Sequence, residues 1–361
     1  GLTYSLHPDL RLDEVCDSRQ QRPKTIIAIG GNGGGWLHAP TVTLPSPTDA
    51  RWRSRPSHRT HGGAVLGTAI DKGSYHFVTR LYSPLFDYSI RIAYSRVECV
   101  ASLDDVQHAP VRACLRFCGI ERDIEVSYSG ELPSFSGLGT SSAFVVGLLN
   151  ALHAYLGRPI SNIDLARAAI HIEQDILGEC VGSQDQTLAA LGGFNVIEFH
   201  PNGDIFADPV RLPPARWQAL QDHLLLFDSG IRRRAADFAS RQMDRCSEHE
   251  PRLKEMRAQV DLGYSILTGN QPLSSFGELL HQAWTLKMGL HSDIAPPPVT
   301  RNYQAALDAG ALGGKLLGAG GGGFLLLFVP PERQPAVRLA LAHCAEVPIA
   351  IGAPGSSVLT S

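Results

Sequence analysis

The segment Leu132–Gly157 reads LPSFSGLGTSSAFVVGLLNALHAYLG and joins a Ser/Gly-rich loop to an apolar helix. From Ala143 to Leu156 the residues leave almost no polar face, so we expect the helix to be buried, and Gly157 with the following Arg-Pro pair ends it. A buried helix start has N–H groups that need partners, and glycines and hydroxyls lie directly before it. The segment therefore predicts an anion site suited to phosphate. The alternative is ordinary N-capping by a serine.

The overall composition predicts a globular protein of two domains. The chain has 361 residues, of which 43% are hydrophobic and 19% charged, and one core rarely extends over that length. A net charge of −3 provides no basic surface for nucleic acid or an anionic membrane. We therefore expect a small-molecule substrate, no nucleic-acid or membrane partner, and a monomer or homodimer.

The cysteines indicate a reducing compartment. Seven are present, and none form a CxxC pair. Cys114 and Cys118 are spaced i, i+4 on a predicted helix, which favours a structural role over metal binding. No signal peptide and no run long enough to cross a membrane is found. The sequence therefore predicts free thiols and a cytoplasmic protein.

Hydrophobic patterning predicts a mixture of helices and strands. SIRIAYS at 89–95 and DIEVSYS at 123–129 alternate apolar and polar residues, as half-buried strands do. The elements lack a regular βαβ rhythm, so we predict an α+β fold. Further strands are predicted at 193–198, 222–228 and 323–329, and helices at 108–118, 143–156, 162–178, 185–191, 232–244, 252–267, 273–288, 299–310 and 331–343.

The turn PNGD at 201–204 is the predicted domain boundary. It gives a polar tail at 1–23, an N-terminal domain at 24–203 that carries the phosphate loop, and a C-terminal domain at 204–361.

A second glycine-rich segment near the start suggests a dinucleotide fold and then argues against it. Lys24–Ile29 is a short apolar run followed by GGNGGGW. The strict GxGxxG spacing is absent, and Pro40, Pro45 and Pro47 stand where the fold needs a helix. An NAD-dependent oxidoreductase is therefore the weaker alternative.

Glu173 stands out because its helical neighbours are apolar. On the predicted helix 162–178, the positions at offsets −4, −3, +3 and +4 are Ala, Ile, Ile and Leu. A carboxylate on a core-facing stripe needs a partner. A Mg²⁺ ion is one candidate, and the alternatives are an internal Arg or Lys or a position at the edge of the core.

The segment GGKLLGAGGGGFLLLF at 313–328 is a third glycine loop, placed before an apolar strand. Such a loop admits the close approach of another backbone or of a phosphate. It is not a Walker A loop, because Leu316 follows Lys315 and the spacing differs.

Together these stretches resemble the GHMP small-molecule kinases, the superfamily of galactokinase, homoserine kinase, mevalonate kinase and phosphomevalonate kinase. The phosphate loop of that family, P-x-x-x-G-L-G-S-S-A, is similar to Pro133–Ala143, with Thr140 in place of the first serine. The C-terminal glycine motif of the family is similar to Lys315–Gly323. The resemblance covers roughly residue 61 to the C-terminus.

The resemblance implies a two-domain fold, with an N-terminal domain like ribosomal protein S5 domain 2 and a ferredoxin-like C-terminal domain. It also implies a phosphotransferase that uses ATP and Mg²⁺. The nucleotide-binding residues that it implies are Pro133, Ser134, Ser136, Gly137, Leu138, Gly139, Thr140, Ser141, Ser142, Gly318, Gly320 and Gly321.

The resemblance also implies roles for the acidic residues. Ser141 and Glu173 would bind Mg²⁺, which agrees with the burial argument for Glu173. Asp185, in GSQDQ, would be the catalytic residue that orients or deprotonates the acceptor hydroxyl; the alternative is an acid that stabilises a first helical turn. The residues implied near the substrate are Gly62, Gly63, Arg232, Lys287 and Gly322. For Arg232 and Lys287 the implied ligand is a sugar phosphate, and the alternative is a solvated helix face.

Within the superfamily, the chain is most similar to the sugar kinases of the heptose 7-phosphate branch. HGGAVLGTAIDK at 61–72, the segments 171–199 and 226–242, and WTLKMG at 284–289 carry this similarity. It implies phosphorylation of the anomeric hydroxyl of D-glycero-D-manno-heptose 7-phosphate to the 1,7-bisphosphate. L-fucose kinases are near relatives, and a non-catalytic ligand-binding protein is a further alternative.

One expected family segment is missing. A G-G-G-T-D-like motif should precede the HGG stretch and contact the sugar, but Asp49–Gly63 reads DARWRSRPSHRTHGG. The run RWRSRP can be encoded as CGG TGG CGG AGC CGA CCT, which one base later gives Gly-Gly-Gly-Ala-Asp. We hypothesise a frameshift before about residue 58, which the nucleotide sequence would test. Without that motif the sugar site would be damaged.

Overall fold

The computed structural model describes residues 25–38, 63–133, 137–231 and 250–360. In chain order the strands are β1 (Thr25–His38), β2 (Gly63–Arg80), β3 (Ile90–Ala93), β4 (Val97–Val100), β5 (Ile124–Gly130), β6 (Phe194–Phe199), β7 (Ile205–Pro209), β8 (Leu224–Asp228), β9 (Gly313–Leu316), β10 (Phe324–Phe328), β11 (Ala345–Glu346) and β12 (Ser357–Thr360). The helices are α1 (Ala109–Phe117), α2 (Thr140–Tyr155), α3 (Asn162–His171), α4 (Gln184–Leu191), α5 (Pro214–Asp222), α6 (Glu250–Thr268), α7 (Ser274–Met288), α8 (Pro297–Asp308) and α9 (Gln334–Ala340).

The strands form two sheets. The larger has the order β12-β1-β2-β5-β3-β4, with β6 added to β2 and β7 added to β6; the smaller has the order β11-β8-β10-β9. Strands β3 and β5 run parallel, and the other pairings given for the described strands are antiparallel. Two sheets with segregated helices confirm the α+β prediction.

Strand β2 organises the larger sheet, and the sequence patterns did not predict it. It pairs with β1 along its length, with β6 through Gly63–Thr68 and with β5 through Ser74–Arg80. Its residues Ala64–Ile70 are all buried. A strand covered on both faces has no apolar–polar alternation, so its period is hidden in the sequence.

Strand β1 shows what the early glycine segment does. It continues from Thr25 through GGNGGGW to His38, with irregular pairing between Gly31 and Asn32 and between Gly35 and Leu37. A dinucleotide fold would start with a strand of a parallel sheet, whereas β1 pairs antiparallel with both neighbours.

Helix α2 is buried, as expected. Twelve of its sixteen residues are buried, and it lies in the core between the larger sheet and helices α1, α3 and α4. It begins at Thr140 rather than at the predicted Ala143. The hydroxyl residues before Ala143 therefore form the first turn of the helix, where their backbone N–H groups have no intrahelical acceptor.

The other predicted elements agree with the structure to within three residues, apart from one helix. The predicted helix 162–178 is α3 followed by a π-helical segment, Ile172–Ile176. The predicted helix 232–244 and the tail at 1–23 lie outside the described residues.

The predicted domain boundary falls in a turn of the larger sheet. Residues 203 and 204 lie between β6 and β7, which pair as a hairpin, and β12 returns from the end of the chain to pair with β1. Helix α7 packs with the smaller sheet. Its residues Phe276 and Leu280 belong to one apolar cluster that includes residues of that sheet, and its Trp284 belongs to a second such cluster. The division at 203/204 stays a prediction.

Two further observations concern membranes and thiols. Among the described residues, none of the helices is both long and apolar enough to cross a membrane. Among the described residues Cys99, Cys114, Cys118 and Cys344 form no disulfide, which agrees with the expected thiols.

Candidate active site

The start of α2 is formed by a glycine and three hydroxyl residues. Its N-cap residue is Gly139, in the left-handed region at φ 67°, and no side chain caps the helix. Serine N-capping, the alternative drawn from the sequence, is therefore not observed. The free N–H groups and the positive end of the helix dipole favour an anion here. In the loop, Pro133 is exposed and Leu138 is buried, whereas Ser134 and Ser136 lie outside the described residues.

The hydroxyl residues of the first turn face different surroundings. Thr140 and Ser142 are buried, and Ser141 is exposed. Ser142 Oγ donates a hydrogen bond of 2.9 Å to Glu173 Oε2. The structure thus places Ser142 beside Glu173. Adjacent positions of a helix point in directions about 100° apart, so Ser141 and Ser142 face different sides of the helix. The Mg²⁺ role of Ser141 stays a prediction.

Glu173 is buried, and none of the charged groups that act on it among the described residues is a cation. The carboxyl group is 1% exposed and lies in the π-helical segment after α3. Gln186 Nε2 donates a second hydrogen bond to Oε2, while Oε1 has no hydrogen-bond partner among the described residues. Burial raises the pKa of Glu173 to about 8, against the effect of the Gln186 and Ser142 hydrogen bonds.

These features of Glu173 fit a Mg²⁺ ligand. A buried carboxylate oxygen that lacks a partner can bind a hard cation, which prefers oxygen ligands. In the described part of the chain no three His, Cys, Asp or Glu side chains gather as a metal cluster. A cation here would therefore be shared with ligand oxygens, as Mg²⁺ is in phosphate-transferring sites.

Asp185 lies in the first turn of α4 and has two lysines as neighbours. Burial raises the pKa of Asp185 to about 7, against the effect of the Lys287 and Lys315 ammonium groups. Burial lowers the pKa of Lys287 to about 8 and that of Lys315 well below its usual value. The two lysines are 5% and 3% exposed. Asp185 itself is half-buried, and its charge acts on both lysines. We call these three charged groups from α4, α7 and β9 the Asp–Lys cluster.

The two glycine loops touch at one point. A Cβ on Gly137 would lie 2.7 Å from the Leu317 carbonyl oxygen, and one on Gly318 would lie 2.7 Å from Gly137 Cα. Both glycines have φ 76°. The phosphate loop and the C-terminal loop can meet so closely because neither residue carries a side chain. Lys287 Nζ also donates to the Gly318 carbonyl oxygen, which connects the Asp–Lys cluster to this contact.

The rest of the C-terminal loop is held by backbone hydrogen bonds. Gly321 N–H donates to the Ile294 carbonyl at 2.9 Å, and Gly323 N–H donates to the Ile231 carbonyl at 2.8 Å. Side chains are excluded at Gly320 and Gly322, where a Cβ would meet Ile294 or Ile231 at 3.0 Å or less. The roles predicted for these glycines in binding nucleotide and substrate stay predictions.

The predicted substrate residues divide into described and undescribed positions. Gly63 begins β2 and pairs with Phe199, and Lys287 belongs to the Asp–Lys cluster. Gly62 and Arg232 lie outside the described residues, as does the run at 51–56 in which we hypothesise a shifted reading frame.

Sequence reasoning missed two members of the site, Gln186 and Lys315. Gln186 is fully buried next to Glu173. Lys315 was named only to reject a Walker A loop, although a lysine inside an apolar strand was a usable signal, since buried charges need a partner. For Gln186 the signal was weaker, because a glutamine one residue after Asp185 also suits a helix surface.

Two GHMP kinase domains match this chain. The N-terminal domain of GHMP kinases matches residues 107–193 and the C-terminal domain matches residues 266–346. The first contains the start of α2, Glu173 and Asp185, and the second contains both lysines of the Asp–Lys cluster. These two segments are thus GHMP kinase domains. The family resemblance read from the two glycine motifs is confirmed.

Curated relatives in the GHMP family include sugar and mevalonate kinases. A D-glycero-alpha-D-manno-heptose 7-phosphate kinase of Campylobacter jejuni is 32% identical over 206 residues, which are 56% of this chain and 60% of that protein. An L-fucokinase/L-fucose-1-P guanylyltransferase of Bacteroides fragilis is 27% identical over 85% of this chain and 34% of its own length. The matches thus span about one-third to three-fifths of these relatives.

Solved structures show the same GHMP fold. A D-glycero-D-manno-heptose 1-phosphate kinase from Bacteroides thetaiotaomicron has a TM-score of 0.72 at 21% identity, covering 93% of this chain and 99% of that one. A putative sugar kinase from Campylobacter jejuni has a TM-score of 0.67 at 22% identity, covering 95% and 100%. At these identities the likeness establishes the fold alone.

Proposed function

We propose that this chain is an ATP-dependent sugar kinase that phosphorylates the anomeric hydroxyl of D-glycero-D-manno-heptose 7-phosphate, giving the 1,7-bisphosphate. The observation that carries the proposal is the position of Asp185. Its carboxyl group, with a pKa of about 7, interacts with Glu173 and with the two lysines beside the contact of the two glycine loops.

Asp185 would act on the acceptor hydroxyl. A carboxyl group with a pKa near 7 is partly ionised at neutral pH and can accept a proton as the new P–O bond forms. An ordinary aspartate is a weaker base, so the burial that raises this pKa serves the reaction. Phosphoryl transfer depends mainly on positioning and charge neutralisation.

The phosphates of ATP would bind at the uncapped start of α2. The N–H groups of its first turn and the positive φ angles of Gly137 and Gly139 suit a phosphate cradle. Glu173 would hold Mg²⁺ together with a hydroxyl group from the first turn of α2. When bound, that ion would neutralise charge on the β- and γ-phosphates.

The substrate assignment draws on the relatives. The heptose 7-phosphate kinase of C. jejuni supports a phosphorylated heptose, at 32% identity over 56% of this chain. The L-fucokinase of B. fragilis supports a second candidate, L-fucose, because its match extends over 85% of the chain.

A substrate panel tests the function. Purified protein would be mixed with ATP, Mg²⁺ and one of four sugars: D-glycero-D-manno-heptose 7-phosphate, sedoheptulose 7-phosphate, mannose or L-fucose. We expect ADP release with the heptose phosphate, and ³¹P NMR should show a new anomeric phosphate. The Asp185→Asn variant is the matched control. ADP release equal to that of Asp185→Asn with all four sugars would refute a sugar kinase, and release with L-fucose alone would favour the second candidate.

A further inference from the structure

The Asp–Lys cluster has an excess of positive charge. Lys287 and Lys315 are both almost fully buried and repel one another, while Asp185 is the single acidic group of the described residues whose charge acts on Lys315. Buried charges are stable when they are paired. Among the described residues the cluster has one carboxylate for two ammonium groups, so it has one negative charge too few.

The two lysines differ in their bonding. Lys287 Nζ donates to the Gly318 carbonyl oxygen. Lys315 is 3% exposed, yet none of the side-chain hydrogen bonds or ion pairs given for the described residues includes its Nζ. Lys315 therefore has donors available for a ligand, whereas Lys287 already uses one on the loop.

The position of Lys315 decides which ligand it can reach. Its strand, β9, leads directly into Gly318, which touches Gly137 of the phosphate loop. Its charge acts on Asp185, the proposed base. Lys315 is thus three residues from the contact of the two loops that would hold the nucleotide phosphates, and its charge acts on the group that would receive the proton of the acceptor.

We propose that Lys315 is a further catalytic residue whose ammonium group binds the phosphoryl group that passes from ATP to the sugar, and that Lys287 is a positioning residue for the C-terminal loop. This inference rests on the proposed kinase function. In this inference, the γ-phosphate of the nucleotide supplies the negative charge that the Asp–Lys cluster lacks.

The transfer step balances with these residues. The bond between the γ-phosphorus and the β,γ-bridging oxygen breaks, and ADP leaves with the electron pair. A new bond forms between the γ-phosphorus and the acceptor oxygen, whose proton passes to Asp185. Lys315 keeps its proton throughout and offsets the negative charge on the non-bridging oxygens.

Nucleotide binding without sugar tests the role of Lys315. Isothermal titration calorimetry would give the Kd of ADP and of AMPPNP, both with Mg²⁺, for the wild type, Lys315→Met and Lys287→Met. Methionine is similar in length to lysine and suits a buried site, so Lys287→Met is a matched control. AMPPNP carries a γ-phosphoryl group and ADP does not, so the ratio of the two Kd values isolates contacts to that group.

For Lys315→Met we expect the preference for AMPPNP relative to ADP to fall about tenfold or more against the wild type, with the Kd of ADP within threefold, because one charge-assisted contact is lost. The melting temperature should not fall, since an uncompensated buried charge is removed. For Lys287→Met, both nucleotides should lose affinity by a similar factor. Lys315→Arg, which keeps the charge, should retain more of the preference than Lys315→Met.

The inference would be overturned if Lys315→Met kept the wild-type ratio of the Kd values of AMPPNP and ADP. It would also be overturned if only Lys287→Met lost the preference for AMPPNP. If Lys315→Met does not fold, Lys315→Gln serves the same comparison. The two proposals can fail separately. Absence of ADP binding by the wild type would refute the kinase function, whereas inactivity with every sugar would leave the nucleotide test of Lys315 valid.

Discussion

Replacing Glu173 by glutamine should change how the stability of the protein depends on pH. The pKa of Glu173 rises from 4.5 to about 8 in the folded protein because the group is buried. Between these two values the folded state binds more protons than the unfolded state, so the free energy of unfolding falls as pH rises. Above pH 8 both states are ionised and this contribution is fully lost.

The size of the effect follows from the shift. Each pKa unit corresponds to about 1.4 kcal/mol, so Glu173 should lower the wild-type stability by about 2–5 kcal/mol between pH 5 and pH 8.5, the lower figure allowing for relaxation around the charge. Glu173→Gln has no charge at either pH and should escape this loss. Its amide also places a donor at the orphaned oxygen position, but that cost is the same at both values of pH.

Urea denaturation at pH 5 and pH 8.5, without Mg²⁺ or nucleotide, measures this difference. Other titrating groups are present in both proteins, so comparing the wild type with Glu173→Gln isolates one carboxyl group. Glu121→Gln, at an exposed position, is the control and should keep the wild-type dependence. If Glu173→Gln lost as much stability as the wild type over this pH range, the conclusion that burial raises the pKa of Glu173 would be refuted.

Three further predictions concern the same site. Asp185→Asn should lower kcat by about 100-fold or more, since the amide cannot accept the proton, and should leave the Kd of ATP unchanged; steady-state kinetics with normal turnover would remove Asp185 from the mechanism. Gly137→Ala should lower the melting temperature more than Gly157→Ala. Both have positive φ, which costs about 1–2 kcal/mol, but only at Gly137 would the Cβ meet a backbone atom, at 2.7 Å; equal losses would contradict the close contact. Ser142→Ala should destabilise the protein by about 1–2 kcal/mol, because the hydrogen bond to Glu173 is lost. Ser141→Ala should instead raise the Mg²⁺ concentration needed for the half-maximal rate, without a change in melting temperature. The reverse pattern in a Mg²⁺ titration would assign the metal to Ser142.

Much of the fold could be predicted from local patterns. The apolar composition of α2 indicated burial, and the alternation in 89–95 and 123–129 indicated strands, because helical and strand periods are written in neighbouring residues. Strand β2 could not be found in this way, since both of its faces are covered and the alternating signal is absent.

The candidate site was predictable in part. Glu173 was identified from its apolar neighbours on one helix, and its burial is confirmed. The rotation of the first turn of α2, which directs Ser142 rather than Ser141 to Glu173, could not be read in advance, because it depends on a helix start three residues earlier than the apolar pattern indicated.

The amino-acid sequence by itself thus determines the glycine loops, the buried helix between them and the class of the fold. All three follow from residues that are close together in the chain. The charge cluster is different. Asp185 in α4 is about a hundred residues from Lys287 in α7, which is 28 residues from Lys315 in β9, and no local period connects them. The smaller sheet and α7 share one apolar cluster with β2, and the electrostatic properties of these three groups arise mainly from desolvation in the folded protein.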